Sequence, residues 1–206
     1  MDIWLLAIWA YLAASIVTLA PSLYALFRGV QLNPAGASFE ASTTFSPEAK
    51  ERLSQHYSRM TGTLGFWKSR ATVYVRFHYY CVIWTILSAW AVPLIGAIAP
   101  QVEGSPSKWL LVIISSHVAL ALSFHRGMKV SEGMEAFRLG ESEFYDLYRR
   151  LLDRPQVFGK SEEEQLDTYF SEVERIRRAV RLSETEAIPK IERLKPEVAE
   201  QKHSGP

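Results

Sequence analysis

The chain has 206 residues, a net charge of +1 and a mean hydropathy of −0.02. Its charges are segregated, because the first 124 residues hold only 8 of the 23 Lys and Arg and 5 of the 22 Asp and Glu. This pattern excludes an ordinary soluble domain, and the small net charge does not indicate a nucleic-acid binder. The single cysteine, Cys81, excludes an internal disulfide and is expected to be a small buried hydrophobic residue.

Residues 1–28 are predicted to form a first transmembrane helix. Ile3 to Phe27 is about 25 residues without a charge, long enough to cross a hydrocarbon core of roughly 30 Å. The alternative is a cleaved secretory signal, which would carry Lys or Arg before the apolar stretch. Here only Asp2 precedes it, so we expect a membrane span.

Residues 29–45, rich in small and polar residues, are predicted to be a loop, and residues 46–70 an amphipathic helix. Ser46 is a suitable N-cap and Pro47 a suitable first helical residue. The apolar stripe of this helix has helical spacing and consists of Leu53, Tyr57, Met60 and Leu64. We expect the helix to lead into the membrane and to be loosened at Gly62 and Gly65.

Residues 71–128 are predicted to form a transmembrane hairpin. Its second span runs from about Thr72 to Ala99 and its third from Trp109 to Phe124, with an extension to Met128. Residues 100–108 form the short polar turn between them. An interfacial aromatic belt is expected from Tyr74, Tyr79 and Tyr80.

The distribution of basic residues predicts the orientation. Arg28 to Arg76 contains seven Lys or Arg, the turn after Pro100 contains only Lys108, and the chain after Phe124 opens with Arg126. The positive-inside rule then places the N-terminus and the turn outside and both basic segments in the cytoplasm.

Residues 129–195 are predicted to be a cytoplasmic helical domain, and residues 196–206 a disordered tail. Glu132 to Leu152 carries apolar residues at helical spacing, and a second helix starts at Ser161 with a capping box. A helical hairpin is favoured over a coiled coil, because the second stripe covers only about two heptads. The fold class is therefore all-α integral membrane protein with three spans and a helical tail.

His117 is the one strongly polar ionisable side chain deep within an apolar span. Such a residue is a candidate for lining a water-filled path, and the alternative is a neutral imidazole hydrogen-bonded to a neighbouring helix. His78 and Arg76 are closer to the interface and are expected to be anchors.

Two stripes of small residues are candidates for close helix packing, either within one chain or between the subunits of a homo-oligomer. They consist of Ala10, Ala14, Thr18 and Ser22 in the first span, and Ser115, Ala119 and Ser123 in the third.

The cytoplasmic tail carries basic residues that form a candidate site for an oligonucleotide, another phosphate-bearing ligand or anionic lipid. They are Arg149, Arg150, Arg154, Arg175, Arg177, Arg178 and Arg181. The alternative is a solvated helix face, which nearby acids such as Glu172 and Glu174 favour.

No motif supports catalysis, a cofactor or a metal site, since the five histidines share no short-spaced pattern. An enzyme is therefore not expected. The two functional classes that stay open are a gated membrane pore and a passive anchor whose tail recruits a partner.

The hairpin, its short outer turn and the segments HRGMKVSEGMEAFRLGESEFYDLYRRL and SEEEQLDTYFSEVERIRRAVRLSETE resemble the bacterial SLATT family, over residues 50 to 188. The likeness extends to the channel effectors of the Hailong defence system. The resemblance implies an oligomeric pore in the bacterial inner membrane that depolarises the cell in anti-phage defence. It also implies control by an oligonucleotide from a neighbouring nucleotidyltransferase. The extra first span departs from the family's two-span pattern.

Overall fold

The computed structural model describes residues 2–27, 30–32, 38–99 and 105–187, which form helices without a β-strand. The helices are α1 (Ile3–Phe27), α2 (Pro47–Ile98), α3 (Pro106–Gly127), α4 (Val130–Asp153) and α5 (Glu162–Ala187), with 3-10 turns at Phe39–Ala41 and Pro155–Val157. The all-α prediction is confirmed. Three helices, α1, α2 and α3, are long and apolar enough to cross a membrane. The predicted disordered tail lies outside the described residues.

Helix α2 is continuous over 52 residues, a length of about 78 Å at 1.5 Å per residue. The sequence places a boundary at residue 70, but the helix passes through it. Gly62 and Gly65 do not interrupt it, because a glycine costs a helix only about 1 kcal/mol, less than the packing of both halves contributes. Ser46 caps the helix as expected, since its Oγ accepts a hydrogen bond from the amide of Ala49 at 3.2 Å.

The first half of α2 packs with α4 and α5 into a unit that we call the charged bundle (residues 47–76 of α2, α4 and α5). The amphipathic stripe of α2 therefore faces other helices rather than a membrane surface. The preceding loop also contributes, because Phe39 and Phe45 are buried in the same core. The central side chains of this core are almost fully buried and include Leu53, Leu64, Phe144, Leu151, Tyr169 and Val173.

The second half of α2 packs with α1 and α3 into a unit that we call the apolar bundle (α1, residues 77–98 of α2, and α3). Residues 77–98 contain no Asp, Glu, Lys or Arg. The outer surface of this bundle is apolar, with Trp9, Ile86, Trp90 and Ile98 among its exposed side chains. An apolar surface of this extent suggests association with a membrane.

Helices α3 and α4 meet at a fixed bend rather than in one continuous helix. Lys129 has φ 46° and ψ 48°, the left-handed conformation, and α4 begins at the next residue. Val130 is buried directly after the bend, and Gly133 allows close contact with α2, because a Cβ there would lie 2.5 Å from the Tyr74 ring. The third apolar helix, at 22 residues, is longer than the predicted 16, because it begins at Pro106 and ends at Gly127.

Candidate functional site

His117 lies where the three helices of the apolar bundle meet, and both of its ring nitrogens are hydrogen-bonded. The hydroxyl of Tyr11 on α1 lies 2.6 Å from Nδ1, and the hydroxyl of Tyr80 on α2 lies 2.7 Å from Nε2. A neutral imidazole has one N–H and one lone pair, so one tyrosine donates to the ring and the other accepts from it. His117 therefore joins α1, α2 and α3 and has no nitrogen left for another ligand in this arrangement.

One more hydrogen bond and two ring contacts lie beside this histidine. The indole N–H of Trp84 on α2 donates to the Thr18 hydroxyl on α1 at 3.0 Å, and the Trp84 ring contacts the rings of Tyr11 and His117 edge-on. We call these five residues, Tyr11, Thr18, Tyr80, Trp84 and His117, the His117 cluster. The arrangement matches the alternative of a histidine bonded to neighbouring helices. It also removes Tyr80 from the predicted interfacial belt, because Tyr80 is 7% exposed whereas Tyr79 is 61% exposed.

His78 and Arg76 lie at the end of the apolar bundle that adjoins the charged bundle. Nδ1 of His78 lies 2.9 Å from Nε2 of His125 on α3. Arg76 donates from Nη1 to the carbonyl of Pro21 on α1 at 2.9 Å. Both residues thus connect α2 to a neighbouring helix at the same end, and their anchoring role at the membrane interface stays a prediction.

The two stripes of small residues are mostly exposed, and Ser22 is the exception. Ala10, Ala14 and Thr18 on α1, and Ser115, Ala119 and Ser123 on α3, are all exposed. The buried residues of α1 are Ser22 of the predicted stripe, Ser15 and Ala25. Thr18 still contacts α2 through its bond from Trp84, and Ser123 satisfies its hydroxyl on the Ala119 carbonyl at 2.7 Å. Most of both stripes is therefore free to contact lipid or another chain.

The arginines of the charged bundle are divided between two grooves. Arg150 and Arg175 line a groove between α4 and α5, and Arg177 and Arg181 line another between α5 and α2. The remaining three, Arg149, Arg154 and Arg178, are exposed.

Acidic residues accompany these arginines. Glu172 pairs with Arg175 at 2.7 Å, and Glu174 with Arg177 at 3.2 Å. Asp146 pairs with Arg149 at 2.7 Å. The grooves are therefore of mixed charge rather than uniformly positive.

Sequence reasoning missed a group of polar atoms in the core of the charged bundle. His56 Nδ1 and the Tyr169 hydroxyl are buried, and no hydrogen-bond partner is assigned to them among the described residues. The Tyr145 hydroxyl is also buried and interacts with the Tyr57 side chain. Burial, followed by the charges of Arg59 and Arg177, lowers the pKa of His56. Burial raises the pKa of Tyr145 to about 12 and that of Tyr169 further. No motif could reveal this group, because its members come from three helices.

No family model matches the chain, and neither a curated protein nor a solved structure shows significant similarity to it.

Proposed function

We propose that the chain is the subunit of an oligomeric membrane pore that its charged bundle controls. The observation that carries this proposal is the distribution of polar and small residues in the apolar bundle. The His117 cluster pairs its polar atoms within the bundle, while Ser115, Ala119 and Ser123 of α3 lie on the outside. One chain therefore offers no path for water. Several copies around an axis, with the α3 stripes facing one another, would provide it.

The continuous α2 helix supplies the mechanical link for this function. A change in how α4 and α5 pack on residues 47–76 would move residues 77–98 as part of the same rigid helix. Its N-terminal end is tied to α5, because the amide and hydroxyl of Ser46 donate to the carboxylate of Glu162 at 2.7 and 2.6 Å. Moving a pore from mostly closed to mostly open requires on the order of 5 kcal/mol of differential binding. A ligand held by several subunits would supply it.

The setting we propose is the bacterial inner membrane, with the N-terminus outside and the charged bundle in the cytoplasm. Positive-inside logic supports this orientation. The packing of the first half of α2 against α4 and α5 supports placing both basic segments on one side. The resemblance to SLATT effectors adds anti-phage defence and an oligonucleotide signal to the proposal.

The oligomer is tested by enlarging the α3 stripe. Ala119→Leu should abolish the oligomer in native mass spectra from mild detergent, because leucine prevents close approach of helices. The change should leave the chain folded, because Ala119 is exposed. Val82→Leu is the matched control, since Val82 is an exposed apolar residue on α2 outside both stripes. A monodisperse wild-type monomer in both detergent and lipid would refute the pore.

Conductance is tested with a membrane-potential dye in cells that express the chain alone and with its neighbouring nucleotidyltransferase. If the chain forms a pore, the cells should depolarise under one of these two expression conditions, and Ala119→Leu should prevent the depolarisation. Depolarisation in neither state would favour the second candidate function.

That second candidate is a membrane anchor whose charged bundle recruits a protein partner. The mixed charge of the two grooves favours it, because a polyanion binds best where basic residues are not already compensated by acids. Two double variants distinguish the gated pore from the anchor. One combines Arg150→Gln with Arg175→Gln, and the other combines Arg177→Gln with Arg181→Gln. For a pore gated by an oligonucleotide, at least one pair should weaken oligonucleotide binding and reduce its salt dependence. Unchanged binding and salt dependence in both pairs would exclude these grooves as the ligand site.

A further inference from the structure

Two histidines that are far apart in sequence meet at one end of the apolar bundle. His78 on α2 and His125 on α3 are 47 residues apart, and their rings are 5.1 Å apart between centroids. The facing atoms, His78 Nδ1 and His125 Nε2, are separated by 2.9 Å, and both side chains are half-buried. The packing of two helices, rather than a local motif, creates this pair.

We propose that His78 and His125 bind a divalent transition-metal ion such as Zn²⁺ through these two nitrogens. Imidazole nitrogen is a preferred ligand for zinc, copper and nickel. With Zn–N distances of about 2.0–2.1 Å and tetrahedral angles, two ligand nitrogens lie roughly 3.3 Å apart. The observed pair therefore needs to open by only about 0.4 Å, which small rotations of half-buried rings provide.

The metal replaces the hydrogen that now lies between the rings. In the hydrogen-bonded pair one facing nitrogen carries the hydrogen and the other accepts it. When the metal binds, that hydrogen moves to the outer nitrogen of the same ring, so both lone pairs face the ion. A neutral pair releases no net proton in this exchange.

The site has an open coordination sphere. Within the described ranges no third His, Cys, Asp or Glu completes the group. Two positions are then left for water or another ligand, and the positive charge of the adjacent Arg126 opposes a cation. These features predict exchangeable binding, weaker than in closed four-ligand zinc sites. The absence of a carboxylate in the pair disfavours Mg²⁺ and Ca²⁺, which prefer oxygen ligands.

Binding would clamp α2 to α3 at the end of the apolar bundle that adjoins the charged bundle. The proposal is independent of pore formation, because it concerns two helices of one chain.

The test uses the purified full chain in mild detergent, titrated with ZnCl₂ and, separately, with MgCl₂. Zn²⁺ should raise the melting temperature in proportion to the logarithm of its concentration, because the ion binds the folded state. Mg²⁺ should leave it unchanged. His78→Asn and His125→Gln are the matched variants, since each amide nitrogen or oxygen replaces the facing ring nitrogen as a hydrogen-bonding group. Each variant should weaken zinc binding at least tenfold in calorimetry.

Two results would overturn the proposal: no effect of Zn²⁺ on the folded wild-type chain, or a zinc affinity in both variants that equals that of the wild-type chain. Should a variant fail to fold, zinc protection of wild-type histidines against diethyl pyrocarbonate replaces it, with the modified residues located by mass spectrometry. Protection of His78 and His125 supports the site. Protection confined to other histidines, or protection of none, excludes it.

Discussion

Each ring nitrogen of His117 is hydrogen-bonded to a tyrosine from a different helix, so the two hydrogen bonds can be removed one at a time. Tyr80→Phe deletes the bond to Nε2 and keeps the ring in place. We expect a loss of about 0.6 kcal/mol in the free energy of unfolding, and no more than about 1.7 kcal/mol, as for other hydrogen bonds between membrane helices. The measurement is reversible unfolding in mixed micelles.

Tyr79→Phe is the matched control for that experiment. Tyr79 neighbours Tyr80 in sequence and is exposed, so its hydroxyl holds no helix to another. An equal loss in both variants would mean that the His117 cluster does not stabilise the bundle.

His56 predicts how stability depends on pH. Burial and then the charges of Arg59 and Arg177 lower its pKa below the ordinary value of 6.5. The unfolded chain therefore binds a proton at a pH where the folded chain does not, and stability falls as the pH decreases below 6.5. His56→Phe should reduce this loss between neutral pH and about pH 5 in thermal melts. If the variant loses as much stability over this pH range as the wild-type chain, the pH dependence comes from other titratable groups.

At the scale of the element, Gly140 determines how closely α4 approaches its neighbours. A Cβ at this position would collide with Val180 on α5 and would also lie 3.3 Å from the Trp67 ring on α2. We expect Gly140→Ala to destabilise the charged bundle by about 1–3 kcal/mol through overpacking. Circular dichroism during thermal unfolding provides the measurement.

The same substitution at Gly62 provides the control. Gly62 lies within α2, and a Cβ there meets nothing within 4 Å. Gly62→Ala should therefore stabilise the chain by about 0.5–1 kcal/mol, because alanine loses less backbone entropy in a helix. Destabilisation by both substitutions to the same extent would contradict the role assigned to Gly140.

The helices themselves could largely be predicted from the sequence, because their signals are local. The uncharged runs indicate the spans, and Ser46 and Pro47 mark the start of α2. How the helices are rotated about their axes could not be predicted. That rotation decides that Ser15 and Ala25 are buried in α1, whereas Ala10 and Ala14 of the predicted stripe are exposed. It also decides that Tyr80 meets His117, and that His78 meets His125. Such contacts depend on packing between helices, which no stretch of about ten residues encodes.

At the scale of the whole molecule, the proposed orientation can be tested by cysteine labelling. In a Cys81→Ala background, Asp2→Cys and Ser105→Cys should react with an impermeant maleimide in intact cells. Glu163→Cys, at the start of α5, should react only after permeabilisation. Labelling of residue 163 without residue 105 would reverse the orientation. Equal labelling of both in intact cells would contradict the membrane crossing of α3 between them.

The long helix α2, which belongs to both bundles, also has a consequence for the synthesis of the chain. Its apolar stripe at Leu53 and Leu64 shares a core with residues of α4 such as Phe144 and Leu151, which leave the ribosome about 80–100 residues later. At roughly 5–20 residues per second, this stripe stays uncovered for on the order of 4–20 s after translation. During that time the nascent chain exposes an aggregation-prone helix. A chain that terminates before α4 would never bury the stripe in this core, so quality-control proteases should degrade such truncated products selectively.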